Sequence, residues 1–330
     1  MQHRLKYFKY TSIVAAVLLI FIASCKKQTY SLPTPSDKLQ NEAIKRTLGP
    51  SIIRDTLEFA YAMAILPSKG KLVSCTAEAS IAGTPGTYME YRSFYTNQSG
   101  QDVGVPVGSP SVTTGTTTTV TYNHDTSAAT LRYYYIIPDE ARGKTVTIKF
   151  TAKSSNGESI STSMGPYTIS KMDRILNMKV SDNNLMYISI ADSTIYTAAN
   201  AAAHAASIDL VYLYRNITTS AFGHALVSPA ADTQYLPGVV LPTGVNRSSK
   251  LIKVFNLQDF NLAHEQYGIY IDDPDFQKID FTNEPNYAIN LKAEAGVWVQ
   301  TADGKYRAYI FINGVNANGT ATISMKRYAM

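Results

Sequence analysis

The chain is poor in the residues on which most enzymes and small secreted domains rely. Of its 330 residues two are cysteine, one is tryptophan and five are histidine. Two cysteines cannot build a disulfide framework, so a cystine-stapled fold is excluded. The histidines (His3, His124, His204, His224 and His264) lie far apart, which removes the short spacings of a zinc site. His264-Glu265 opens like a zinc-peptidase motif, yet position 268, where the second histidine belongs, is Gly268. GxSxG, GxGxxG and a glycine loop ending in Gly-Lys-Ser/Thr are absent as well, so no common catalytic motif is present. No cluster of Lys and Arg stands beyond the N-terminus, and a nucleic-acid partner is not expected. Long apolar runs are missing too. The run Ile13 to Ala23 has 11 residues, about half of the ~20 that a helix needs to cross the hydrocarbon core.

That short run is informative. Arg4, Lys6 and Lys9 precede it and no acid occurs before Asp37, which is the pattern of a signal peptide. Ile22-Ala23-Ser24-Cys25 resembles the lipobox of bacterial lipoproteins, in which the cysteine thiol takes a diacylglycerol and becomes the first residue after cleavage. Residues 1–24 are therefore expected to be a lipoprotein signal peptide and Cys25 the lipidation site. Several acyl chains, at about 0.8 kcal/mol per buried methylene, would make the outer membrane a near-permanent partner. Both the cell surface and the periplasmic leaflet fit an outer-membrane lipoprotein. Loss of the leader leaves 27 basic and 25 acidic residues, a net charge of +2 in place of +5.

With Cys25 acylated, Cys75 is alone. In KLVSCTAEASI the residues Val73, Cys75, Ala77, Ala79 and Ile81 alternate with polar ones, which predicts a strand with Cys75 on its core face. Residues 25–50 form a tether that begins with the polar, proline-containing KKQTYSLPTPSD; DKLQNEAIKRTL predicts a short helix within it, broken at Gly49-Pro50. The remaining ~280 residues exceed one ordinary core and predict two domains. Residues 51–172 carry about seven short alternating strands separated by turn-rich segments, which predicts an immunoglobulin-like β-sandwich without the Cys–Trp–Cys core. Residues 173–330 predict a second β-sandwich or jelly-roll-like domain, with short helical insertions such as the alanine-rich Thr197 to Ala206 and a strong C-terminal hairpin at Ala302-Asp303-Gly304. The fold class is thus all-β.

Two stretches could carry chemistry. YIDDPDFQKIDF clusters Asp272, Asp273, Asp275 and Asp280, oxygen ligands suited to calcium, although Pro274 and the lack of glycine at the sixth position depart from an EF-hand. Turn capping by the same aspartates is the competing reading. No other cofactor is expected. The second resource is aromatic: 23 tyrosines and 11 phenylalanines beside the lone Trp298. Aromatic faces stack on the C–H faces of sugars. Trp298 in GVWVQ shares a strand face with Gln300 and could be a ligand platform or cover a second packed layer. In Tyr133-Tyr134-Tyr135 alternation directs Tyr134 away from its neighbours and makes it a second candidate platform.

Six stretches, IKRTLGP, LEFAYAMA, AATLRYYYIIPDEARGK, MGPYTISKMD, IDLVYLYR…GHALVSP and NLQDFNLA…YGIYIDD, resemble a family of Bacteroidota cell-envelope lipoproteins, a similarity running from about Asn41 to the end. The resemblance implies a surface polysaccharide-binding or nutrient-uptake accessory protein beside an outer-membrane transporter of the starch-utilisation type, and implies no catalytic residue. Lys26-Lys27 depart from the acidic residues that commonly follow the cysteine in surface-exposed members of that phylum. The expected function is a lipid-anchored extracytoplasmic binding protein that captures polysaccharide or another nutrient polymer. The alternative is a structural or adhesive subunit of a surface assembly or transporter complex. A glycosidase using carboxylates near Asp272 to Asp280 ranks third, so the chain is not expected to be an enzyme.

Overall fold

Alternation of large inward and small or polar outward residues governs the first domain. The fold is that of a computed structural model whose described residues are 37–217, 221–263 and 268–330. The leader, Cys25, the tether up to residue 36 and the His264-Glu265 pair lie outside the described residues. Eleven strands follow from Gln40: β1 (Gln40–Lys45), β2 (Thr56–Ala64), β3 (Leu72–Ala79), β4 (Tyr88–Met89), β5 (Arg92–Thr96), β6 (Asp102–Pro106), β7 (Val112–Thr114), β8 (Thr117–Thr121), β9 (Ala128–Ile136), β10 (Thr145–Ser154) and β11 (Ser159–Thr168). One sheet has the order β1-β2-β9-β4 and the facing sheet β11-β10-β3-β8-β7, while β5 and β6 form a separate hairpin. Leu57, Phe59, Tyr61 and Met63 of β2 and Leu131, Tyr133 and Tyr135 of β9 point into the space between the sheets. There Phe150 of β10 stacks on Tyr61 at 4.9 Å and meets Phe59 at a tilt at 5.6 Å. Cys75 is wholly buried in this core, which pushes its thiol up to about 12 and leaves it inert.

Two sequence expectations fail here. The segment from Lys38 is not a helix: Gln40–Lys45 is an edge strand paired antiparallel to β2, from Gln40↔Ala64 to Lys45↔Phe59. The sandwich therefore begins about ten residues earlier than the 25–50 tether assignment allows. Val73 is also turned out, because a register shift between β10 and β3 lets Leu72 take the core position that strict alternation gives to Val73.

Among the described residues the second domain is a sandwich of ten strands: β12 (Met172–Ser181), β13 (Leu185–Ser189), β14 (Thr194–Thr197), β15 (Leu210–Arg215), β16 (Gly223–Val227), β17 (Lys250–Phe255), β18 (Tyr287–Leu291), β19 (Ala295–Gln300), β20 (Tyr306–Asn316) and β21 (Thr320–Ala329). They form sheets ordered β12-β21-β20-β19-β17 and β14-β13-β15-β16-β18. The alanine-rich segment is a helix at Ala198–Ala201 continued by a 3-10 helix at Ala202–Ser207. Strand β19 is buried at every residue but the last, and β20 and β21 carry unbroken buried runs, Ala308 to Ile312 and Ile323 to Lys326, where alternation would expose every second residue. The reason is that their sheet is covered on both faces. Val297, Val299, Ile310 and Ile323 meet the second sheet, while Trp298, Tyr309, Phe311 and Tyr328 belong to a core that continues into the first domain through Leu262, Ile271, Phe276 and Phe281.

Candidate functional site

Trp298 belongs to that second layer and is no platform. It is 6% exposed, meets Phe276 edge-on at 5.2 Å and lies 4.8 Å from Tyr309. Gln300, on the same strand face, accepts from Arg307 Nε at the rim, which is why polarity at that position misdirected the sequence reading.

The aspartates near 272 are taken up by a helix cap, a turn and the domain junction. Asp272 caps the helix Asp273–Lys278, accepting from Asp273 N at 2.7 Å, and Asp275 Oδ2 reaches back to Asp272 N at 2.8 Å in a capping box. Asp273 turns to the other domain and accepts from Ser170 Oγ and from Lys171 N. Asp280 accepts from Thr282 N at 2.9 Å, and that contact with Thr282 holds its carboxyl below the usual range. Each carboxylate serves a local cap or junction, and among the described residues no group of three His, Cys, Asp or Glu side chains is placed to hold a metal ion.

Tyr134 shares an outward sheet face with a groove and lies two rungs beyond it. The outward residues of the first sheet line up in rungs set by strand register: Gln40–Ala64–Ala128, Glu42–Ala62–Thr130, Ile44–Ala60–Arg132, then Glu58–Tyr134–Tyr88. Alanines occupy the middle of three rungs, so the floor is low and apolar. The β5–β6 hairpin forms a wall beside it: Ser93 Oγ accepts from Thr130 N at 3.0 Å, and the Phe94 ring lies 4.2 Å from the Arg132 guanidinium. The cavity between this wall and β1 has a volume of about 470 Å³ and is lined by Gln40, Glu42, Ala62, Phe94, Tyr95 and Thr130 among others.

The groove is edged by rings and charges. Tyr95 is 55% exposed on the hairpin, and Tyr88, 43% exposed, stacks on Tyr134 at 4.9 Å with a 19° tilt. Between the two ends lies an ion network: Arg132 pairs with Asp102 and lies 3.9 Å from Glu58, while Arg46 reaches Glu58 at 3.1 Å. The Arg132 hydrogen bond brings the Asp102 carboxyl below its ordinary value. From Ala128 to Tyr134 the platform runs six residues along β9, about 20 Å at the usual strand rise. Sequence reasoning singled out Tyr134 and missed Tyr88, Phe94, Tyr95 and the alanine floor. The alanines were visible as the even positions of LEFAYAMA, whereas the hairpin that walls them arrives from 30 residues away.

Residues 36–169 match the family described as domain of unknown function DUF4466, and residues 170–330 match one described as domain of unknown function DUF8576. The boundary falls in the short link between β11 and β12. No curated protein sequence matches the chain. A DUF4466 family protein from the Bacteroidetes species Parabacteroides merdae, with a crystal structure at 2.00 Å resolution, is 47% identical and superposes with a TM-score of 0.83, covering 90% of this chain and 100% of that one. The major pilin subunit of Bacillus cereus is 9% identical, with a TM-score of 0.28 over 86% of this chain and 62% of the other. A GH20 exo-β-N-acetylglucosaminidase from Vibrio harveyi is 10% identical, with a TM-score of 0.20 over 47% and 22%. The last two likenesses are too slight to inform fold or activity. Nearly half of all residues shared across the full length of the Parabacteroides protein is decisive, and the chain belongs to the DUF4466 family.

Proposed function

We propose that this protein is a lipid-anchored binding protein that holds a polysaccharide along the outer face of its first sheet. The observation that carries the reading is the set of rungs: three alanine-centred rungs on a face that runs about 20 Å from the Tyr95 end to the Tyr88–Tyr134 stack. Sugar rings offer flat C–H faces to such aromatics and hydroxyls to side chains like Glu42, Gln40 and Thr130 at the groove wall. The lipobox at Cys25 supplies the anchor, and an uptake system in the outer membrane is the consumer the reading implies. Binding without turnover is the role proposed, because Glu42 is the one carboxylate among the residues that line the cavity and hydrolysis of a glycoside needs a pair, while Glu58 and Asp102 farther along the face are engaged by arginines.

A stacked ring contributes about 0.5–1.5 kcal/mol, so its loss should weaken binding by roughly two- to twelvefold. Glycan-array retention of the full chain beside Tyr95→Ala and Tyr134→Ala tests this. Retention that falls in both variants, with an unchanged circular dichroism spectrum, is expected. Absence of retention by the parent chain would overturn the reading and favour a structural subunit, for which a membrane pull-down would return a large integral partner. Retention untouched by both substitutions would remove the groove.

A further inference from the structure

One cluster of buried polar groups that the groove does not use is centred on Lys326. This residue sits on β21 and is fully buried, as is the Asp259 carboxylate beside it. Its Nζ lies 2.7 Å from Asp259 Oδ2, 2.9 Å from Asn261 Oδ1 and 2.8 Å from the Ile271 carbonyl. The carboxylate is held in turn by the backbone N–H groups of Asn261 at 2.7 Å and Ile271 at 2.6 Å. Leu262, Ile271, Tyr309 and Tyr328 belong to the apolar core of this layer.

A buried ammonium–carboxylate pair is costly, by several kcal/mol per ion. Passing one proton from Lys326 to Asp259 removes both charges, and burial already draws the lysine pKa down. The resulting amine is a nucleophile, and the carbonyl oxygen it touches is bonded to the carboxamide carbon of Asn261. Such fixed proximity is what replaces catalyst and concentration in an intramolecular reaction.

We propose that Lys326 and Asn261 join through an intramolecular isopeptide bond, with Asp259 as the proton shuttle. In this step the Nζ–Cγ bond forms and the Cγ–Nδ2 bond of Asn261 breaks. The proton taken from the amine passes through Asp259 to the departing nitrogen, which leaves as ammonia. Nothing is oxidised or reduced and Asp259 is regenerated. Asn261 is only partly buried, so the leaving group has a way out. The new amide N–H replaces the ammonium as donor to Asp259. The bond fastens the segment that covers the outer face of the β12-β21-β20-β19-β17 sheet, through which the two sandwiches share a core.

Proteolytic digestion of the denatured full chain, followed by mass spectrometry, reads the result directly. One branched peptide containing both Lys326 and Asn261, lighter than its two parts by one ammonia, is expected from the unsubstituted protein. Asn261→Ala keeps the Lys326–Asp259 pair and should return two separate peptides and a lower thermal midpoint. Two separate peptides from the unsubstituted chain would overturn the proposal, as would ammonia loss confined to an unbranched Asn261 peptide. A branched peptide that persists in Asp259→Ala would remove the assigned role of Asp259.

Discussion

Gly49 shows how one residue ties the domains. It adopts φ +76°, and a β-carbon there would collide with the ring of Tyr270, which lies across the chain from the second domain. Gly49→Ala meets both a left-handed backbone and a filled space, so a loss of about 1–3 kcal/mol is expected, read as a lower urea midpoint at unchanged m-value. Asp303 makes a different case, one of pH. Partial burial pushes its carboxyl pKa up, but Thr301, the Lys305 amide and Arg247 outweigh that effect and bring it down to about 2. A carboxyl whose folded value is depressed contributes stability above its unfolded value, near 4, and loses it as pH falls toward 2. Asp303→Asn should therefore flatten the acid limb of the stability curve between about pH 4 and 2. The carboxylate is more than a third exposed, and screening keeps the effect below about 1 kcal/mol.

At the scale of the element, β1 is the sharpest departure from local expectation. DKLQNEAIKRTL has good helix formers, but six residues of main-chain pairing with β2 and a covered inner face outweigh that preference. Opposite faces of the strand should then respond differently to charge. Ala43 faces inward opposite Tyr61, whereas Ile44 is 55% exposed opposite Ala60. Ala43→Asp is expected to cost about 2–4 kcal/mol and Ile44→Asp to stay within about 0.5 kcal/mol, as measured by thermal or denaturant unfolding. Equal effects would deny the strand. The long strands β2, β3, β8, β9, β10 and β19 were legible because alternation and β-branched residues extend over five or more positions. Strands β4 to β7 were not: β4 and β7 have two and three residues, and β5 and β6, as long as β8, have no buried position to set an alternation.

At the scale of the whole molecule, the two sandwiches share one core. The layer of Leu262, Ile271, Phe276 and Phe281 lies between the first domain and the outward face of β19 to β21. Ion pairs add to the junction: Arg174 reaches Asp55, and Arg142 meets Asp173 at 2.6 Å. Cutting between the domains would expose rings on both sides, so unfolding should be a single cooperative event. The sole tryptophan is placed to report it. Fluorescence of Trp298, at the junction layer, and far-UV circular dichroism of both sandwiches should give coincident thermal transitions. Two separated transitions would show that the shared layer does not couple them.

What the sequence determined by itself is what depends on neighbours along the chain: an all-β pattern and the core position of Cys75. Strand alternation also turned Tyr134 outward. What only the tertiary structure decided is which outward faces meet water. Trp298 and Tyr134 both alternate away from a core, yet Leu262, Ile271, Phe276 and Phe281 pack over the first while the second stays at the surface beside Tyr88. The aspartates near 272 cap a helix because Ser170 and the chain's own amides reach them first. Lys326, an outward residue on its strand, is buried against Asp259 for the same reason as Trp298. Period-two alternation records on which side of a sheet a residue lies, and the free energy of burial depends on what is packed against that side.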